Sequence, residues 1–109
     1  MTTFHGKEIK IIYSEAAEQQ YQTITDETQR RSIQRSESSL KQDPFYGIQI
    51  KKSLIPQRYR SRYEITNLWK VDLSDYWRLL YTITSTESEI IIFVLEIVDH
   101  KTYDKIFGY

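Results

Sequence analysis

A chain of 109 residues, 39% apolar and 28% charged, suits one domain with a modest core and is too apolar for global disorder. It has no cysteine, which excludes disulfides and thiolate metal sites and fits a reducing compartment. The formal charge is zero, yet residues 29–62 carry nine basic side chains against Glu37 and Asp43, a net of +7. Such a basic middle fits phosphate or an acidic protein partner, and equally the solvated faces of a helix and a loop.

The segment Met1 to Gly6 lacks a secretory apolar core, and His5 falls near a loose N-terminus with no function assigned. The longest apolar stretch, Ile90 to Val98, is interrupted by Glu96 and is far too short to span a bilayer. A cytoplasmic protein without a membrane segment is expected. Lys7 to Tyr13 reads as a strand rich in β-formers, and Ser14 is placed to cap a helix that presents Ala17, Gln20, Tyr21 and Ile24 on one side. A second helix is predicted from about Thr28 to Gln42, ending where Asp43 precedes Pro44.

Phe45 to Asn67 is the least regular part, broken by Gly47 and Pro56. Within it, Arg58-Tyr59-Arg60-Ser61-Arg62-Tyr63 offers guanidinium and aromatic planes suited to bases and phosphates. Three strands follow: Leu68 to Leu73, Tyr76 to Thr84 after the turn Ser74-Asp75, and Ile90 to Val98 after Ser85 to Ser88. Lys101 to Phe107 reads as a short helix that packs Tyr103 and Phe107 and stops at Gly108. The expected fold is a single α+β domain over residues 1–109, in the order β-α-α-β-β-β-short α. An antiparallel sheet of three to four strands carries the helical hairpin of residues 15–42 on one face, with Lys7 to Tyr13 beside a later strand.

Three segments in this order carry a family likeness: Leu68-Trp69-Lys70-Val71-Asp72-Leu73, Tyr76-Trp77-Arg78-Leu79-Leu80-Tyr81-Thr82-Ile83 and Ile91 to Lys101. Together they resemble the RelE/ParE superfamily of toxins from type II toxin–antitoxin modules, nearest to an archaeal-looking RelE-like branch. The resemblance implies a metal-independent mRNA endoribonuclease that needs no cofactor, inhibits translation on the ribosome and is neutralised by a cognate antitoxin. ParE-like members share the fold but poison a topoisomerase. The alternative is therefore a non-catalytic member, either such a poison or a degenerate antitoxin-binding protein.

By the same resemblance Arg78 is the phosphate-holding arginine, and its planar, permanently charged fork suits that role. His100 falls at the last-strand turn as the proton-transfer group, because its charge can switch near neutral pH. Lys101 and Tyr103 complete the candidate catalytic set; the relatives' tail tyrosine has no exact partner, Tyr103 falling two residues early and the terminal Tyr109 late. Lys70 matches the first of two lysines in ribonuclease-active relatives, whereas Asp72 stands where the second would be, as a candidate general base. Lys70, Lys51, Lys52, Arg58, Arg60 and Arg62 are the candidate RNA contacts. No metal is implied: Asp99, His100 and Asp104 lack a matching fourth ligand.

Overall fold

The computed structural model describes residues 2–108, so Tyr109 lies outside the described residues. Strand β1 (Thr3–Phe4) and strand β2 (Lys7–Tyr13) lead into helices α1 (Glu15–Thr23) and α2 (Glu27–Gln42). The edge strand β3 (Ile48–Gln49) and helix α3 (Gln57–Tyr63) come next. They precede the meander β4 (Trp69–Asp72), β5 (Arg78–Ser85) and β6 (Glu89–Val98), and helix α4 (His100–Phe107) closes the described chain. Among the described residues no helix is long and apolar enough to cross a membrane.

The α+β class is as expected, but the sheet differs in two ways. Among the described residues it has six strands in the order β1-β2-β6-β5-β4-β3, not three or four. It is also mixed: β2 runs parallel to β6 from Glu8↔Glu89 to Tyr13↔Val94, while the other pairs are antiparallel. Two-residue strands such as β1 and β3 are too short to leave an alternating pattern. Alternation also identifies a strand without naming its neighbour. The N-terminal segment is a hairpin and not a loose end. His5 and Gly6 both have positive φ, 51° and 79°, which is the type I′ signature.

Alternate residues of the strands face opposite layers. On one face Ile9, Val71, Leu79, Tyr81 and Ile92 pack against Ala17, Ile33 and Leu40, so the helical hairpin covers this side as expected. On the other, Leu68, Leu80, Leu95 and Val98 pack under Tyr59 of α3 and Tyr103 of α4. The region read as irregular thus supplies half of a second helical layer. The sheet also curls, so that Phe45 lies 6.0 Å from the Phe4 ring and 5.4 Å from the Trp69 ring.

The pairing of β5 with β6 slips at one point: Leu80 opposes Glu96, and Tyr81 opposes Val94. Leu95 is the extra residue of a β-bulge, which turns Leu95 and Glu96 to the same side. Strand β2 ends opposite Val94, and helix α1 satisfies the β6 backbone beyond that point. Ser14 Oγ donates to the Leu95 carbonyl at 2.6 Å, and the Ile97 N–H donates to Gln20 Oε1 at 2.7 Å. The same Ser14 Oγ accepts from Ala17 N–H at 3.0 Å as the α1 N-cap. Ser14→Ala removes the cap and strands a buried carbonyl, and is expected to cost about 1–3 kcal/mol in chemical denaturation. A loss within error of zero would mean that water or a shift of α1 replaces both contacts.

Candidate functional site

Lys70 and Asp72 alternate on β4 and therefore project from the same face, and Asp72 pairs in register with Arg78 of β5. This spacing brings three charges together. Asp72 Oδ1 lies 2.9 Å from Lys70 Nζ and 2.9 Å from Arg78 Nε. The two cationic side chains are 19% and 14% exposed, while Asp72 is 52% exposed and sits above them. The Lys70 contact is a hydrogen bond. The Arg78 contact is one of charge only, because its Nε makes no hydrogen bond of good geometry among the described residues. Arg78 Nη1 donates to the Trp77 carbonyl at 3.2 Å, which fixes the guanidinium plane.

The Tyr103 ring forms the floor of this cluster, 5.3 Å from Arg78 Cζ and 5.9 Å from Lys70 Nζ, within cation–π range. Tyr103 is nearly buried and lies against Phe107, with ring centroids 4.5 Å apart. Helix α4 holds it there and has a strong start. Asp99 accepts from Thr102 N–H at 2.8 Å, and Gly108 ends the helix in the left-handed region with φ 77°.

The remaining candidates are more dispersed. His100 is exposed at the start of α4, with Nε2 3.2 Å from Asp104 Oδ2 and its ring 6.0 Å from that of Tyr76. Lys101 is exposed and lines a shallow groove with Thr102, Asp104 and Lys105. Lys51 and Lys52 are exposed at the turn before α3. The arginines of α3 have local partners. Arg58 pairs with Glu96 at 3.1 Å, Arg60 donates to the Lys52 and Ile55 carbonyls, and Arg62 lies over Tyr63 at 5.5 Å. Elsewhere in the basic middle, Arg30 of α2 donates to the Tyr21 and Ile24 carbonyls at the end of α1, on the opposite layer. The basic middle is thus not one patch.

Sequence reasoning missed two features. Glu96 is 8% exposed and is bonded by Tyr59 Oη at 2.9 Å; burial and this carboxylate push the Tyr59 phenol well above its ordinary value. The other is a groove of about 250 Å³ beside the charge cluster, walled by Tyr46, Gly47 and Ile48 against Lys70, Val71 and Asp72. Its signal was Phe45-Tyr46-Gly47, exposed aromatics next to a breaker. A wider cleft of about 540 Å³ lies near Tyr63, Asn67, Thr82 and Phe93. Among the described residues its one charged lining residue is Glu64, so it holds no cation for an anion.

Gly47 is required by close approach. A Cβ there would lie 2.6 Å from the Lys70 carbonyl and 2.7 Å from Tyr81 Oη. Tyr81 Oη accepts from Gly47 N–H at 3.1 Å and donates to the Pro44 carbonyl at 2.9 Å, and burial pushes this phenol up to about 12. No protein-family model, curated protein or solved structure matches the chain, so the RelE/ParE likeness rests on the three quoted segments.

Two predictions follow from this geometry. Gly47→Ala is expected to lower stability by about 1–3 kcal/mol through overpacking, read as a drop in melting temperature; an unchanged melt would mean that β3 simply moves aside. Asp99 gives a pH-dependent expectation. The Thr102 hydrogen bonds, helped by Lys101 and His100, hold its carboxyl below the ordinary 3.8. Its contribution is therefore complete above 3.8 and fades as pH falls through the lower folded value. Asp99→Ala should cost about 0.5–2 kcal/mol at neutral pH and progressively less in acid, whereas Asp99→Asn keeps most of the cap. A gap between wild type and Asp99→Ala that stays constant into strong acid would contradict this account.

Proposed function

We propose that this chain is a RelE-like toxin, a metal-independent endoribonuclease that cuts mRNA in the cytoplasm, inhibits translation and is restrained by an antitoxin. One observation carries the reading. Lys70 and Arg78 are fixed on adjacent strands around a single Asp72 oxygen, with Asp72 the exposed member and a net local charge of plus one. Rigid strands suit such work, because catalytic groups must be held to within a fraction of an ångström.

In this mechanism Lys70 and Arg78 hold the non-bridging oxygens of the scissile phosphate, a task that an ammonium and a planar guanidinium both suit. Asp72 takes the 2′-hydroxyl proton as the 2′-oxygen attacks phosphorus. The bond to the 5′-oxygen breaks, and His100 returns a proton to that leaving oxygen, giving a 2′,3′-cyclic phosphate and a 5′-hydroxyl. Asp104 orients the imidazole. Tyr103 serves from below, as the aromatic support of both cations.

A second reading is favoured by the dispersal of Lys101, Arg58 and Arg60 away from a common surface. It is the non-catalytic one, a topoisomerase poison or an antitoxin-binding member without activity. Phosphate neutralisation supplies most RNA affinity, and a chain of zero formal charge has few cations to spend on it.

The test is translation arrest and mRNA cleavage with chelator present. Wild type should cut. Arg78→Ala should lose about 10²–10³ in rate, as is typical when one preorganised charge contact is removed. Asp72→Asn should fall at least as far, and His100→Gln should flatten the pH profile near neutrality. Full cleavage by Arg78→Ala, or cleavage abolished by chelator alone, would sink the mechanism. Growth arrest with intact mRNA would move the assignment to the non-catalytic reading.

A further inference from the structure

Tyr46 is a half-exposed aromatic, 53% accessible, at the mouth of the groove that it shares with Lys70 and Asp72. Among the described residues its ring has no aromatic or cationic neighbour, and its hydroxyl makes no hydrogen bond. Its neighbour Phe45 differs, with its ring engaged by Phe4 and Trp69. The Tyr46 backbone is held firmly. Its N–H donates to the Asp43 carbonyl at 3.0 Å, and the next N–H, of Gly47, donates to Tyr81. Ile48, 56% exposed, pairs with Lys70 across the strands and lies on the same face. Exposed Lys51 and Lys52 follow directly after Ile50.

An exposed aromatic on a held backbone, beside Lys70, has the make-up of a single-strand binding surface: stacking for the base, charge for the backbone. The groove, at about 250 Å³, is smaller than pockets that engulf a drug-sized ligand, roughly 300–1,000 Å³. It suits one base, with the rest of the strand outside. Asp72, the one acidic lining residue, repels phosphate, so affinity in the groove falls to the stacked base.

We infer that Tyr46 is a base-stacking platform, holding one nucleotide of single-stranded RNA so that the neighbouring phosphate reaches Lys70 and Arg78. The inference rests on the proposed RNA-directed function and adds to it a residue outside the charge cluster. Base stacking tolerates any sequence, since every base has a π-face, so the platform grips without selecting. A partner protein on the same patch would need acidic side chains for the lysines and would leave RNA binding indifferent to Tyr46.

The experiment measures binding of the full chain to a short, fluorescein-labelled, 2′-O-methylated single strand that cannot be cut. Salt is varied, and an unmodified strand is tested in parallel for cleavage. Tyr46→Ala should weaken binding about 5- to 150-fold, the usual range for losing one stacked base, with an unchanged salt slope. Tyr46→Phe and Tyr46→Trp should bind like wild type, because the ring and not the hydroxyl does the stacking. Lys70→Ala should instead reduce the salt slope by about one. Thermal melts matching wild type exclude misfolding as the cause.

Wild-type affinity in Tyr46→Ala, with cleavage of the unmodified strand intact, overturns the platform and leaves the proposed function standing. Tyr46-dependent binding without any cleavage overturns the catalytic reading and keeps the platform. No binding by wild type overturns both.

Discussion

One extra residue in the central strand decides how the rest of the molecule is arranged. Without the bulge at Leu95, strict alternation would aim Glu96 at the face where Leu79 and Ile97 pack under α1 and α2. A carboxylate there would be buried without a partner, which costs several kcal/mol. With the bulge, Glu96 faces the other layer, where Tyr59 and Arg58 reach it. That contact ties α3 to the sheet, and the Ser14 and Gln20 bonds tie α1 to the same irregularity from the other side. Both helical layers are thus registered on one defect, and the charge cluster lies within the layer that Glu96 anchors.

Several elements are plain in the sequence because local chemistry and burial agree there. Ser14 caps α1, Gly108 stops α4, and the apolar run of β6 is a strand. Where they disagree, sequence reading fails. Arg58 to Tyr63 looks like a charged loop, because Tyr59 is the one buried residue of α3 and its arginines face solvent. The parallel seam between β2 and β6 is invisible for a different reason: a strand's own residues encode which face is apolar, not which strand lies alongside. The bulge is invisible too, since Leu95-Glu96 reads simply as an interrupted apolar run.

The candidate site was legible in part, for similar reasons. Lys70 and Asp72 alternate on one strand, so their common direction follows from the period alone. Their meeting with Arg78 needs the β4–β5 register, which a tight turn between consecutive strands makes the simplest arrangement. That turn is unusual in detail, with Asp75 and Tyr76 both at positive φ, 55° and 62°. Tyr46 could not be placed from sequence, because its groove depends on β3, a strand of two residues, and on a glycine tolerated only for its missing side chain. The net +7 of residues 29–62 left two readings open, because charge summed along a chain ignores that its helices lie on opposite faces of a sheet.

Asp72 gives the cluster two roles that pull against each other. In the free protein it offsets part of the repulsion between Lys70 and Arg78, whose ammonium and guanidinium would otherwise be held near each other with little water. A phosphate arriving at the same cations must compete with that carboxylate, which weakens binding of a ground-state strand. In the proposed mechanism the competition would ease as Asp72 took the 2′-hydroxyl proton, since neutralising the carboxylate would free both cations for the charge developing on phosphorus. Binding that strengthens along the reaction coordinate is what raises a rate, whereas uniform binding is not. An aspartate at this position is therefore compatible with RNA chemistry as well as with its absence. What decides between them is whether a strand is held long enough for that proton to move, and affinity from a source other than phosphate charge is what such a site needs.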